Sequence, residues 1–162
     1  MDDGLAVELI IEHISEHPGL VPTLVAWFQD EFGHLHVEDT PEAQYADLYA
    51  KKSSTELPMT LVAFDKESQE LVGTYSLDLV NLLKRPDLGP WLANLYVVPP
   101  LRSSGVGSML VEDALQRAKN LRLTKLYLYT TDLADWYGTF GFRALDQTVY
   151  GASKVVVMEI SL

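Results

Sequence analysis

Residues 91–110 read WLANLYVVPPLRSSGVGSML, and their hydrophobic pattern changes midway. Residues 91–98 are apolar or aromatic apart from Asn94, which predicts a buried strand. The two prolines that follow end this strand, because neither can donate a hydrogen bond to a sheet ladder. From Gly105 the apolar residues recur at helical spacing, so a helix is predicted over 105–121. The segment is therefore a strand, a turn and a helix in succession.

The turn over residues 102–107 predicts an anion-binding site. The first N–H groups of a helix have no intrahelical partner and carry partial positive charge, so an anion is stabilised there. The two glycines of the turn let the backbone approach a ligand closely, and Arg102 adds a cation. The two serines can donate hydroxyls or cap the helix. The alternative is a plain strand–helix connection with a serine cap and glycines that serve helix packing.

Composition limits the class of protein. The chain has 162 residues, which predicts one domain over 1–162, and its 48% apolar content argues against disorder. It starts with acidic residues and has no long apolar run, so neither a secretory signal nor a membrane span is expected. There is no cysteine, which excludes disulfides, thiolate metal sites and a cysteine nucleophile. A cytoplasmic location is expected.

The net charge is strongly negative. Lys and Arg number 12 against 23 Asp and Glu, which gives a formal charge of −11. Such a surface repels nucleic acid and anionic lipid, so neither is an expected partner. It either attracts cationic small molecules or only aids solubility. An anionic cofactor would need a locally positive site, and the turn at Arg102 offers one.

The periodicity along the rest of the chain gives the order β-α-α-β-β-β-α-β-α-β-β. The predicted elements are a strand at 5–11, helices at 20–32 and 41–52, strands at 58–64, 70–79 and 91–98, the helix at 105–121, a strand at 125–130, a short helix capped by Asp132 that ends at Gly141, and strands at 142–145 and 154–160. A helix between two strands makes a right-handed parallel crossover. The prediction is an α+β fold with a mixed, mostly antiparallel sheet of about seven strands, one parallel βαβ crossover and helices on both faces.

His34 and His36 form an H-x-H pair, a spacing that can bind a metal ion. A third ligand is not evident nearby. No metal is therefore expected, and the pair is interpreted as part of a solvent-facing or substrate-facing loop.

Two nucleotide-binding motifs fail to match the turn. A P-loop needs a Gly-Lys pair that is missing here. A dinucleotide fingerprint needs a third glycine, where this chain has Leu110. What remains is R-x-x-G-x-G after a strand that ends in proline.

That pattern, over residues 98–107, resembles the acyl-CoA motif of the GNAT superfamily of N-acetyltransferases. Residues 136–142, WYGTFGF, resemble the second signature of the family, an aromatic-Tyr pair shortly before Gly-Phe. The two motifs lie about thirty residues apart with a helix and a strand between them. The resemblance implies the acyl-CoA N-acyltransferase fold. It also implies transfer of an acetyl group from acetyl-CoA to a primary amine of a small molecule or peptide, by direct attack in a ternary complex.

The resemblance also implies roles for individual residues. Tyr137 would be the general acid that protonates the leaving thiolate. The 91–98 strand would carry a bulge and diverge from the 125–130 strand, so that the pantetheine arm of the cofactor enters the gap. Backbone groups of the strand would pair with the arm, and N–H groups of the turn would hold the pyrophosphate. The expected cofactor-binding residues are Tyr96, Val97, Val98, Arg102, Ser103, Ser104, Gly105, Val106, Gly107 and Ser108.

The general base is left open, with Asp78, Glu31 or a carboxylate acting through water as candidates. Asn94 stands where some relatives keep a carboxylate, and it cannot serve as one. Relatives often place an Asn in the loop after the fifth strand, where this chain offers Thr130, Thr131 and Asp132.

The acceptor site is expected in the variable loops at 30–40, 81–90 and 142–155. The first of these contains Asp30, Glu31, Glu38 and Asp39, which would suit a small cationic amine. A non-catalytic acyl-CoA-binding sensor or an interaction domain on the same fold is the alternative function. The sequence leaves open whether the chain forms a homodimer.

Overall fold

A computed structural model describes residues 7–33, 40–50, 56–79, 82 and 85–162. The predicted order of helices and strands is confirmed. The elements are β1 (Leu9–His13), α1 (Val21–Phe32), α2 (Pro41–Ala50), β2 (Met59–Asp65), β3 (Leu71–Asp78), β4 (Trp91–Val97), α3 (Val106–Asn120), β5 (Lys125–Thr130), α4 (Ala134–Gly138), β6 (Arg143–Tyr150) and β7 (Ser153–Ser161). None of the helices in the described part of the chain has the length and apolar content that a bilayer crossing requires.

The strands form one seven-stranded sheet in the order β1-β2-β3-β4-β5-β7-β6. Every neighbouring pair is antiparallel except β4 and β5, which are parallel and are joined through α3. The predicted mixed sheet with a single parallel crossover is therefore confirmed. The last hairpin folds back so that β7 lies between β5 and β6.

Helices cover both faces of the sheet, because successive residues of a strand point to opposite sides. On β2, Leu61 and Ala63 join the cluster that packs on α3, whereas Val62 joins the cluster that packs on α1 and α2. The spacing of α3 predicts one apolar stripe, of which Val106, Leu110, Ala114 and Ala118 are fully buried and Leu121 is partly buried. Burial of each large side chain contributes about 1.5–3 kcal/mol, so this face fixes α3 against the strands beside the turn.

The boundaries differ from the predictions where burial gives no signal. β6 extends to Tyr150, whereas the predicted strand ends at 145. The sequence does not indicate the longer strand, because β6 is an edge strand with mostly exposed side chains and no continuous apolar face. The short helix starts at Ala134 with Leu133 as its N-cap, so the predicted cap Asp132 is wrong. β1 starts at Leu9, later than the predicted start. The H-x-H pair His34 and His36, which was interpreted as part of a loop, lies outside the described residues, as do residues 5–6 and 51–52.

Candidate active site

A β-bulge distorts β4 at its middle. The pairing of β3 with β4 shifts between Thr74 opposite Tyr96 and Ser76 opposite Ala93, so two residues of β4 face one residue of β3. One of the two is Asn94, which has a φ of 54°. Asn tolerates this left-handed conformation better than most residues. The strand thus carries the bulge that the family resemblance implies.

The parallel strands β4 and β5 separate soon after they start. They pair at a single position, Trp91 opposite Tyr127, whereas β5 pairs with β7 along Lys125–Thr130. The gap that opens toward the carboxyl ends of β4 and β5 is the divergence that the resemblance implies. It leaves strand backbone exposed inside the sheet.

Two adjoining cavities occupy this gap. The first has a volume of about 340 Å³ and lies between the bulge, the end of β5 and α4. The second, about 450 Å³, lies between the end of β4 and the start of α3. Both are lined by Glu31, Leu95, Asp132 and Leu133, so they form one elongated cleft. The cleft therefore runs from Tyr137, which lines the first cavity, to the turn, which lines the second.

From Ser103 onward, the turn at the far end of the cleft presents N–H groups that have no acceptor among the described residues, except that of Ser104, which donates to the Leu101 carbonyl at 3.2 Å. The N-cap of α3 is Gly105, whose φ of 96° suits glycine, and no side chain caps the helix. Of the two roles left open for the serines, a cap on α3 is not found: Ser104 donates its hydroxyl to the Leu101 carbonyl. Ser103 also has a positive φ, of 68°. Left-handed residues next to a helix start form a concave nest of N–H groups, which is suited to an anion.

Gly107 lies in the first turn of α3 beneath an aromatic side chain. A Cβ added at this position would lie 3.4 Å from the Trp136 ring and 3.9 Å from a methyl group of Val97. A Cβ would thus be in van der Waals contact with both side chains, and glycine leaves this space between α3, β4 and α4 free. Val106, by contrast, is fully buried in the core and can offer a ligand only its backbone.

The backbone of β4 narrows the predicted set of cofactor contacts. Val98 donates its N–H to the Val72 carbonyl at 2.9 Å and accepts from the Leu101 N–H at 2.9 Å, so both groups are bonded within the chain. Alternate residues of a strand direct their backbone groups to the same side, so Tyr96 also faces β3. Val97 is therefore the residue of this stretch that presents its backbone to the cleft.

The Arg102 side chain contacts three other residues in the described part of the chain. Its Nε donates to the Val97 carbonyl at 2.9 Å, and its Nη2 lies 3.4 Å from Oε2 of Glu31. Its guanidinium carbon lies 5.2 Å from the centre of the Tyr96 ring. The side chain is thus held beside the turn by contacts within the chain.

Tyr137 on α4 is 8% exposed and lines the first cavity. Its ring packs edge-on against Trp136 at 4.9 Å and against Phe142 at 6.0 Å, measured between ring centres. Burial raises the pKa of its hydroxyl, so it stays protonated at neutral pH. No hydrogen bond joins this hydroxyl to another residue in the described ranges. The Tyr137 hydroxyl can therefore donate its proton to a ligand in the first cavity.

The remaining polar candidates divide by position. Glu31 and Asp132 line both cavities, whereas Asp78 lines neither and pairs with Trp91 at the opposite end of β4. Thr130 accepts a hydrogen bond from the Leu133 N–H at 3.0 Å, so it holds the loop that carries Asp132. Of the predicted candidate bases, Glu31 is therefore the one that reaches the cleft, and Asp132 is a second carboxylate there.

One aromatic contact at the cleft could not be predicted from the sequence. The Trp27 ring of α1 stacks on Tyr96 with 4.6 Å between ring centres and 21° between planes. The spacing of Trp27 only indicates a helix, and no local signal identifies its partner on β4.

One surface group outside the cleft has ligand atoms typical of metal sites. Glu12, Glu16 and His17 bring one such atom each within 4.8 Å of one another. His17 Nε2 lies 3.0 Å from Glu12 Oε1, so a hydrogen bond within the chain accounts for much of this arrangement. The absence of a metal stays a prediction.

Comparisons with known proteins agree with this geometry. A model of the acetyltransferase (GNAT) family matches residues 21–142. A search of curated proteins finds no match.

Solved structures share the fold. A GNAT acetyltransferase from Streptococcus pneumoniae has a TM-score of 0.67 at 20% identity, with 96% of this chain and 100% of that chain covered. Spermidine/spermine N-acetyltransferase from Vibrio cholerae has 0.68 at 18% identity, covering 95% of each chain. A GNAT acetyltransferase from Elizabethkingia anophelis with acetyl-CoA bound has 0.64 at 16% identity, covering 95% of this chain and 98% of that chain. The fold is thus that of the acyl-CoA N-acyltransferases.

Proposed function

Because the chain belongs to the acetyltransferase (GNAT) family, we propose that it is an N-acetyltransferase that uses acetyl-CoA. It transfers the acetyl group to a primary amine of a small molecule or peptide. The observation that carries this proposal is the cleft between β4 and β5, which has open helix N–H groups at one end and a protonated tyrosine at the other.

In this proposal the cofactor lies along the whole cleft. Its pyrophosphate binds the N–H groups of Ser103 and of residues 105–108, where the turn and the start of α3 provide a site of partial positive charge. The pantetheine arm runs along β4 and pairs with the N–H of Val97, whose carbonyl accepts from Arg102. The thioester then reaches the bulge at Asn94, beside Tyr137.

The chemistry requires one proton donor and a neutral nucleophile. The amine nitrogen attacks the thioester carbonyl directly, so a C–N bond forms and the C–S bond breaks. Tyr137 donates its proton to the departing sulfur, and the proton that the amine loses returns to Tyr137 through solvent. Because the pKa of Tyr137 is raised, the donor is in its protonated form at neutral pH. With no cysteine in the chain, no acyl-cysteine intermediate can form.

The acceptor amine enters the first cavity. Glu31 and Asp132 line it, and both carboxylates attract a cation. Glu31 is paired with Arg102, whereas Asp132 accepts only from Thr131 among the described residues, at 3.2 Å. The acceptor is therefore proposed to carry a cationic group close to Asp132, in addition to its neutral reacting amine. The relative from Vibrio cholerae is named for cationic amines, which supports this class.

The test is a panel of acceptors with acetyl-CoA. Release of free CoA is followed with a thiol reagent, which cannot react with a protein that has no cysteine. The panel contains 1,4-diaminobutane, butylamine, a lysine peptide and an aminoglycoside, and calorimetry measures acetyl-CoA binding separately. Turnover with at least one amine supports the proposal. Binding without turnover on a broad panel would indicate a non-catalytic sensor, and no binding at millimolar acetyl-CoA would exclude both functions.

A further inference from the structure

Arg102 was expected to contact the cofactor's phosphates, yet its contacts connect β4 with α1. Its Nε donates to the carbonyl of Val97, and its guanidinium lies over the Tyr96 ring. Tyr96 in turn stacks on Trp27 of α1. Arg102 thus continues a stack that starts on the helix.

A second contact joins Arg102 to the same helix. Its Nη2 lies 3.4 Å from Oε2 of Glu31, which follows Trp27 by one helical turn. Residues so spaced lie on the same face of α1. Arg102 therefore holds that face at two places, once through Tyr96 and once through an ion pair.

The end of α1 is a wall of the cleft. Glu31 lines both cavities, and Phe32 lines the first. The contacts of Arg102 join this wall to the turn. Since Glu31 also balances the charge of Arg102, the phosphate site is left mainly to backbone N–H groups.

We propose that Arg102 is a positioning residue that fixes the end of α1 as the acceptor-side wall of the cleft. The inference rests on the proposed acetyl transfer and assigns Arg102 to acceptor recognition rather than to phosphate binding. A planar guanidinium suits this role, because it can stack on Tyr96 while its N–H groups donate within the plane to the Val97 carbonyl and the Glu31 carboxylate.

The experiment compares Arg102→Gln, Arg102→Lys and Glu31→Gln with the wild-type protein. Arg122→Gln is the matched control, since Arg122 is exposed and lies outside the cleft, and its loss changes the net charge equally. Three quantities are measured: the KM of the acceptor that the wild type uses, the Kd of CoA, and the Kd of acetyl-pantetheine, which lacks the pyrophosphate.

We expect Arg102→Gln to raise the acceptor KM about five- to tenfold, from the typical strengths of an exposed ion pair and a charged hydrogen bond. The Kd of CoA should change less than about threefold, and the control should match the wild type. Arg102→Lys should fail to restore the KM, because an ammonium cannot reproduce the stacked fork. The rise in acceptor KM in the double variant Glu31→Gln with Arg102→Gln should be smaller than the product of the two single rises, because the two side chains form one ion pair.

The opposite pattern overturns the proposal. A phosphate ligand would show a Kd for CoA raised tenfold or more in Arg102→Gln, an unchanged Kd for acetyl-pantetheine, and rescue by Arg102→Lys. An unchanged acceptor KM would overturn the positioning role while leaving the proposed function intact. A wild-type protein that acetylates no amine would overturn the proposed function itself, and this inference with it.

Discussion

Replacement of Tyr137 by Phe removes one oxygen atom from the cleft and leaves the aromatic packing in place. The ring of Tyr137 keeps its contacts with Trp136 and Phe142, and no described residue loses a hydrogen-bond partner. The free energy of unfolding should therefore change by less than about 1 kcal/mol, as when a hydroxyl is removed without orphaning a partner. A general acid contributes about 10²- to 10⁴-fold, so kcat should fall at least about 100-fold, or about 2.7 kcal/mol of transition-state stabilisation.

The assay is release of free CoA at saturating acetyl-CoA and amine, with Kd for CoA measured in parallel. Tyr127→Phe is the matched control: Tyr127 is also 8% exposed, but it packs with Trp91 on the opposite side of the sheet. The Tyr127→Phe variant should retain the kcat of the wild type.

The pH dependence of kcat is a second measurement of the role of Tyr137. Because burial raises the pKa of Tyr137, loss of its proton should not lower kcat until the pH exceeds the ordinary tyrosine value of about 10. The assignment of Tyr137 as the acid is refuted if the Phe variant keeps more than a tenth of kcat, or if Tyr127→Phe falls equally.

Further substitutions test other parts of the structure. Gly107→Val places methyl groups against the Trp136 ring at the entrance of the second cavity, so calorimetry should show the Kd of CoA raised at least about tenfold, whereas Gly19→Ala, with open space around it, should leave it unchanged. Asp132→Asn should raise the KM for 1,4-diaminobutane about tenfold and leave that for butylamine unaltered; equal effects on both amines would contradict an electrostatic role. Hydrogen bonding to Arg143 lowers the pKa of Glu159, so its stabilising contribution is present above the ordinary Glu value of about 4.3 and is lost as the pH falls through the lowered pKa. Thermal unfolding should therefore show a Tm difference between wild type and Glu159→Gln that shrinks between pH 6 and pH 3, and a constant difference would contradict this account.

Much of the fold can be predicted from the sequence, because the apolar residues of buried helices and strands recur at regular spacing. The apolar stripe of α3 and the run over 91–98 predict the parallel crossover, since both pack into the core. The edge strand β6 shows little such spacing, because most of its side chains are exposed and no buried face requires apolar and polar residues to alternate. Its length is determined by pairing with β7, which is a long-range property.

The cleft was predictable to the extent that it depends on local backbone. The glycines of the turn belong to one short sequence motif and the Trp136–Tyr137 pair to another. Each motif therefore predicts the local structure of its own part of the cleft. The partners of Arg102 were not predictable, because Glu31 and Tyr96 come from separate elements that only the folded sheet brings together. The same holds for Val98, whose backbone is used by β3 and by the turn after β4. The cytoplasmic location and a single domain over 1–162 stay predictions.

The single pairing between β4 and β5 has a consequence for association between protein molecules. Beyond Trp91 the sheet contains an interior edge, and an exposed edge is ordinarily a template on which a strand of another molecule can add. Here the edge lies at the bottom of a cleft, between α1 on one side and α4 on the other. The carbonyl of Val97 is moreover covered by the Arg102 side chain, in the way that charged residues protect the outer edges of sheets. The chain can thus keep an unpaired strand at its centre that a slender extended ligand reaches more readily than the strand of another protein molecule does.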